Sequence, residues 1–139
     1  MRAAYRATDY HVWDGERWLS ARVGQAAPEI DRLLDRLGAQ SGSFVTAWNP
    51  LSEIVPPAAN AAAAAALTAE IRARGWHALP HRGVGDDPAW TPEEGWFVLD
   101  LDEAAARALA ETFRQNAIAR IERGTPAALV ETHWLAPDA

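Results

Sequence analysis

The sequence predicts a single α+β (or α/β) domain: a mixed β-sheet of five to seven strands that opens on an N-terminal β-hairpin, with three main helices. Three observations predict it. Short apolar runs rich in Val, Phe and Trp, at residues 43–48 and 96–101, have strand character. Stretches at 28–37 and 102–113 carry apolar residues at helical spacing instead. Gly, Asp, Asn and Pro fall between the two kinds of segment and mark their ends. A chain of 139 residues is about one domain, so we take 1–139 as a unit.

The elements follow in order. Residues 10–19 read as a hairpin, because Asp14-Gly15 supplies the positive φ angles of a two-residue type I′ loop. Such a loop pairs Val12 with Arg17 and His11 with Trp18. Tyr10, Val12 and Leu19 then face the core, and His11, Trp13 and Trp18 the other side. The first main helix is 28–37: Ile30, Leu33, Leu34 and Leu37 repeat at i, i+3, i+4 and i+7, Pro28 suits the first turn, and Gly38 suits the stop. A strand through Phe44, Val45 and Trp48 ends at Asn49, where Pro50 breaks it. A helix from Ala61 to Arg74, closed by Gly75, has a narrow stripe of Leu67 and Ile71 and an i,i+4 pair of Glu70 with Arg74. Asn60 is its N-cap, or a first-turn residue if the helix starts at Pro57. Its alanines carry little bulk and allow close approach to the sheet or to a second copy of the chain.

Residues 76–80 form a short strand, followed by a loop punctuated by Gly83, Gly85, Pro88 and Pro92. His81, Arg82, Asp86 and Asp87 in it read as ordinary loop polarity, since no metal-ligand spacing supports them. The strand at 96–101 is apolar nearly throughout and belongs near the centre of the sheet. Asp102 caps the next helix, Leu101 acts as its hydrophobic staple, and Ala105, Leu109 and Phe113 line one face. Ala117 and Ile121 would continue that stripe, but Gly124-Thr125-Pro126 lies between two short apolar runs as a hairpin connection does. We therefore read 117–123 as a strand and 128–133 as the last one.

Composition excludes several functions. With no cysteine there is no thiol catalysis, disulfide or thiolate zinc site. A net charge of −6, with every basic side chain an arginine, argues against nucleic acid as a partner. No basic apolar leader and no run of ~18 apolar residues occurs, so no membrane partner and a cytoplasmic location are expected. No Ser/His/Asp arrangement, nucleophile elbow or Gly-rich phosphate loop is present. No metal or cofactor is expected.

What remains is a polar pattern at element ends. Thr46, Asn49 and Ser52 follow a buried strand, where side chains held by a sheet face a crevice. The same residues also suit structure alone, Asn49 in an Asx-turn and Ser52 as a cap. Thr46-Ala47-Trp48-Asn49-Pro50, with Ser52, Asn60 and the distant Phe113-Arg114-Gln115-Asn116-Ala117, resembles the bacterial domain-of-unknown-function family 3293. Tyr5-x-x-Thr8-x-Tyr10 and Glu93 fit the same pattern, which spans nearly the whole chain. The alanine run after Asn60 and the pair Glu94-Gly95 depart from it. The resemblance implies membership and the strand at 117–123, and brings no activity with it.

Two functions are open. One is a pocket for a small polar ligand, binding or catalytic, lined by Thr46, Asn49, Ser52, Asn60, Gln115 and Asn116. Carboxamides donate and accept without titrating, so they suit recognition of polar groups. Glu93 is then the catalytic acid or base, with His81 a distant second. The other is a non-catalytic interaction or regulatory module, serving a protein partner or a homodimer, whose carboxamides fix the turns of the sheet.

Overall fold

The structure, a computed structural model, describes residues 1–137, so the last two residues of the expected domain lie outside the described residues. The elements are α1 (Arg2–Arg6), β1 (Asp9–Trp13), β2 (Trp18–Ala21), α2 (Pro28–Leu37), β3 (Ser41–Thr46), a single 3-10 turn (Pro50–Ser52), α3 (Pro57–Arg74), β4 (Ala78–Val84), β5 (Glu93–Leu99), α4 (Glu103–Thr112), β6 (Ala117–Glu122) and β7 (Ala128–Glu131). The seven strands form one sheet in the order β2-β1-β4-β5-β3-β6-β7.

Every strand pairing is antiparallel, where a mixed sheet was expected. The crossovers explain why. α3 joins β3 to β4, and α4 joins β5 to β6, so each helix links two strands that run the same way. Each crossover skips one place, and an antiparallel strand fills it: β5 between β3 and β4, β3 between β5 and β6.

Both faces of the sheet are covered. On one, Ile30, Leu33 and Leu34 of α2 pack on Tyr10, Val12, Leu19, Phe44 and Phe97. On the other, Leu67 and Ile71 of α3 and Ala106, Leu109 and Ala110 of α4 pack on Val45, Val98, Ile118 and Val130. Each of the fully buried Ile30, Leu34, Phe44 and Phe97 stabilises the fold by about 1.5–3 kcal/mol. The capping signals act as the sequence predicts. Gly38 and Gly75 close α2 and α3 in the left-handed region, and the Asp102 carboxylate accepts from the Ala105 amide at 2.7 Å. Leu101 is buried in the same cluster as Ala106, as a staple requires. Residues 117–122 are a strand, not a continuation of α4, because Arg114 turns left-handed (φ 54°) after the helix ends.

Other elements differ from expectation. The hairpin pairs Trp13 with Trp18 and Val12 with Leu19, so its loop has four residues rather than two. The Asp14 carboxylate accepts from the amides of Glu16 and Arg17, at 2.7 and 2.9 Å, and this Asx-turn holds the longer loop. A two-residue slip preserves the faces, so Tyr10, Val12 and Leu19 remain buried. β3 ends at Thr46, not Asn49: the Thr46 hydroxyl donates to the Glu94 carbonyl at 2.6 Å and accepts from the Trp48 amide, turning the chain out of the sheet. β4 runs on to Val84, through what reads as loop, because β1 and β5 pair with it on both sides. α3 begins at Pro57, which puts Asn60 in its first turn. Ala61, Ala62, Ala65 and Ala66 face solvent, and only part of the run approaches the sheet. α1 has no counterpart in the sequence reading. Among the described residues no helix is long and apolar enough to cross a membrane.

Candidate functional site

Three element ends meet at one place. The Asn60 carboxamide oxygen accepts from the Asn49 amide at 2.8 Å, and its nitrogen donates to the Asn49 side-chain oxygen at 3.2 Å. That same oxygen of Asn49 accepts from the Val55 amide, and its side-chain nitrogen donates to Glu93 Oε1 at 3.2 Å. From the C-terminal side, Gln115 Nε2 donates to the Trp48 carbonyl at 3.2 Å, Asn116 Nδ2 to Ser52 Oγ at 3.0 Å, and the Leu51 amide to the Arg114 carbonyl at 2.7 Å. The Thr132 hydroxyl donates to the Gln115 carbonyl at 2.6 Å and so pins the junction from β7.

This lattice holds a strained turn. Asn49, Leu51 and Ser52 all have φ between 47° and 61°, a region that costs non-glycine residues roughly 1–3 kcal/mol each and persists only where the surroundings dictate it. The polar partners come from α3, β5 and the α4–β6 junction, so the strain is held by long-range contacts.

The turn forms one wall of a cleft of about 500 Å³. Thr46, Asn49, Ser52, Glu93 and Gln115 line it; Asn60 and Asn116 stand behind and position Asn49 and Ser52. Sheet register builds the floor. Tyr10 pairs with Gly83, and Gly83 pairs with Glu93, so one row across β1, β4 and β5 reads Tyr10, no side chain, Glu93. The gap at Gly83 keeps the floor open: a Cβ there would meet nothing closer than 3.8 Å. His81, two residues along β4, shares that face with Phe44 and Tyr10, its ring 5.0 Å from Phe44 and 6.1 Å from Tyr10. α1 closes the cleft from above with Ala4 and Tyr5, and Asp86, Asp87 and Trp90 of the β4–β5 loop stand at its mouth.

A family model described as "Protein of unknown function (DUF3293)" matches residues 45–118, more than half of the chain. The chain belongs to the DUF3293 family. No curated protein and no solved structure matches it. The DUF3293 segment carries all seven residues picked from the sequence, and His81 as well. Tyr5 and Tyr10 reach the cleft from outside that segment.

Four titratable side chains in this DUF3293 cleft, Tyr5, Tyr10, His81 and Glu93, are shifted. Burial raises the Glu93 carboxyl above its ordinary value, opposed by the Asn49 hydrogen bond. No basic side chain among the described residues pairs with it. Burial lowers His81 from 6.5 to about 4, opposed by its bond to the His11 carbonyl. That bond, 2.9 Å long, fixes the tautomer: a carbonyl only accepts, so Nδ1 carries the proton and Nε2 the lone pair. Burial raises the Tyr5 hydroxyl above its ordinary value, opposed by the neighbouring Ser52 side chain and Ala117 backbone.

His81, expected in a loop, is thus a buried strand residue, 4% exposed, on the same face as Glu93. Tyr5 and Tyr10 line the cleft but are not among the site residues read from the sequence, and His81 stands there only as a distant second to Glu93. The tyrosines were visible only as part of the family pattern, and His81 was hidden by the glycines around it. Among the described residues no three His, Asp or Glu side chains gather as a metal ion would need.

Proposed function

We propose that the protein binds a small polar ligand in this cleft and that Glu93 exchanges a proton with it. One observation carries the reading: Glu93 and His81, both lining one cleft, each keep a polar edge without a partner among the described residues, while a lattice of carboxamides and backbone groups fixes the other edge. A carboxyl whose pKa burial raises and an imidazole that burial keeps neutral are suited to exchange a proton with a bound ligand. Most of the carboxamides serve the turn. Asn49 and Gln115 also line the cleft, so they combine both roles that the sequence leaves open. The expected cytoplasmic setting goes with this reading.

The test is to fill the cleft. Gly83→Val places a branched side chain between Tyr10 and Glu93, in a strand position with room for it. In a thermal-shift screen of amines, sugars, nucleosides and amino acids, compounds that stabilise the parent should not stabilise this variant. Hits that act equally on both proteins, or no hit on the parent, would remove the proposal.

The alternative, an interaction module, is favoured by a second groove of about 610 Å³ lined by Trp18, Trp48, Trp96, Pro80, Arg82 and Pro92. Arg82 stacks on Trp18 at 4.3 Å within it. Light scattering tests the homodimer form of this reading: a monomer mass at all protein concentrations would remove it.

A further inference from the structure

The ligand-binding reading of the cleft, on which this inference rests, leaves open what kind of ligand fits. Hydroxyls and carboxamides that can both donate and accept line much of the cleft, and among them stand two groups that offer an acceptor edge. His81 presents Nε2, the lone-pair nitrogen, from a side chain only 4% exposed and with no partner for that atom among the described residues. Glu93 presents a carboxyl whose one side-chain hydrogen bond among the described residues comes from the Asn49 amide. Asp86 and Asp87 stand at the mouth beside Trp90. Arg22 reaches Asp86 at 3.4 Å but is held by Asp9 at 2.6 Å, and among the described residues no arginine side chain lines the cleft itself.

An anionic ligand would therefore meet these carboxyls with no arginine side chain in the described lining to offset them. A donor-bearing cation would meet the reverse: an acceptor in His81, a counter-charge in Glu93, and an indole face and carboxylates on entry. The rest of the floor is aromatic, with Tyr10, Phe44 and His81 in mutual ring contact at 5.0–6.1 Å, so the body of the ligand meets rings.

We propose that the cleft takes an organic amine: a protonated nitrogen directed at Glu93 and His81, carried on an apolar or aromatic body that lies against Tyr10 and Phe44. The carboxyl without a basic partner and the histidine without a donor are then the two halves of one ammonium site.

Three probes with one ring and different heads test this on the full chain: benzylamine, benzyl alcohol and benzoate, titrated by NMR chemical-shift perturbation. Benzylamine should bind at least about tenfold tighter than benzyl alcohol, the difference expected of one charge-assisted hydrogen bond, and benzoate should not bind. Glu93→Gln should bring benzylamine down to the affinity of the alcohol and leave the alcohol unchanged. Asp87→Asn at the mouth serves as a second variant should Glu93→Gln fail to fold, and should weaken benzylamine alone. Benzoate or the alcohol binding as tightly as the amine, an amine affinity indifferent to the available variant, or no saturable binding by benzylamine would overturn the proposal. Neutral or acidic hits that Gly83→Val abolishes would leave the cleft standing and remove only the amine; absence of any cleft ligand would remove both.

Discussion

At the scale of single residues, Glu93 and His81 titrate in opposite senses. Burial raises Glu93 above 4.5, so just above that pH the folded protein keeps a proton that the unfolded chain has released. Stability from this group is complete below pH 4.5 and declines as pH rises through the folded value. Glu93→Gln keeps the acceptor for Asn49 and has nothing to titrate. The melting temperature of the variant should therefore gain on the parent as pH rises from about 4.5. A gap that stays constant from about pH 4 to about pH 8 would show that the carboxyl is as well solvated as in the unfolded chain. His81 behaves the other way. Its folded value near 4 lies below 6.5, so its contribution is complete above pH 6.5 and is lost as pH falls toward 4. The Cε1 proton resonance of His81 should keep its neutral position until pH about 4; a midpoint near 6.5 would place the ring in water. Of these two, Glu93 was legible in the sequence, as the carboxylate ahead of a strand. His81 was not, because its burial depends on pairing with β1 and β5, which no local window contains.

At the scale of elements, the turn at 49–52 and the glycines of the sheet make the sharpest claims. Asn60→Ala leaves the Asn49 amide and side-chain oxygen short of a partner in a buried place. It should cost about 1–3 kcal/mol, several degrees of melting temperature; a change within a degree would mean water replaces the carboxamide freely. Gly42 lies under the Phe97 ring, and a Cβ there would come within 1.9 Å of it. Phe97 is fully buried and has nowhere to go, so Gly42→Ala should cost about 1–3 kcal/mol. Gly83→Ala, by contrast, comes no nearer than van der Waals contact with Thr8 and His81, at 3.8–3.9 Å, and should change stability by less than about 1 kcal/mol. Denaturant melts of the two variants side by side give the comparison. Helix ends were the most legible part of the fold, since Pro28, Gly38, Gly75, Asp102 and Leu101 act within a few residues of themselves. β4 and the hairpin loop were misjudged because partners elsewhere decided them: two flanking strands in one case, the Asp14 side chain in the other. α1 buries none of its own residues and so leaves no periodic stripe to read.

At the scale of the whole molecule, protection from amide exchange should follow position in the sheet. β3 and β5, flanked on both sides and covered on both faces, should exchange slowest, and α1 and the 85–92 loop fastest. An exchange map with α1 among the slow amides would mean that the cleft wall belongs to the core. That wall matters because the cleft's lining spans residues 1 to 118, which is why candidate residues could be found along the sequence while the cavity could not. The skipped places in the crossovers have one more consequence, in the order of folding. β3 and β4 are neighbours of β5 and not of each other, so the two halves of the sheet stay separate until β5 enters between them. Closing that gap brings together segments roughly fifty residues apart, and loop closure of this kind slows folding. Truncating Phe97 should therefore lower the folding rate, with a φ-value well above those at Leu19 in β2 or Val130 in β7, where the same loss should chiefly hasten unfolding.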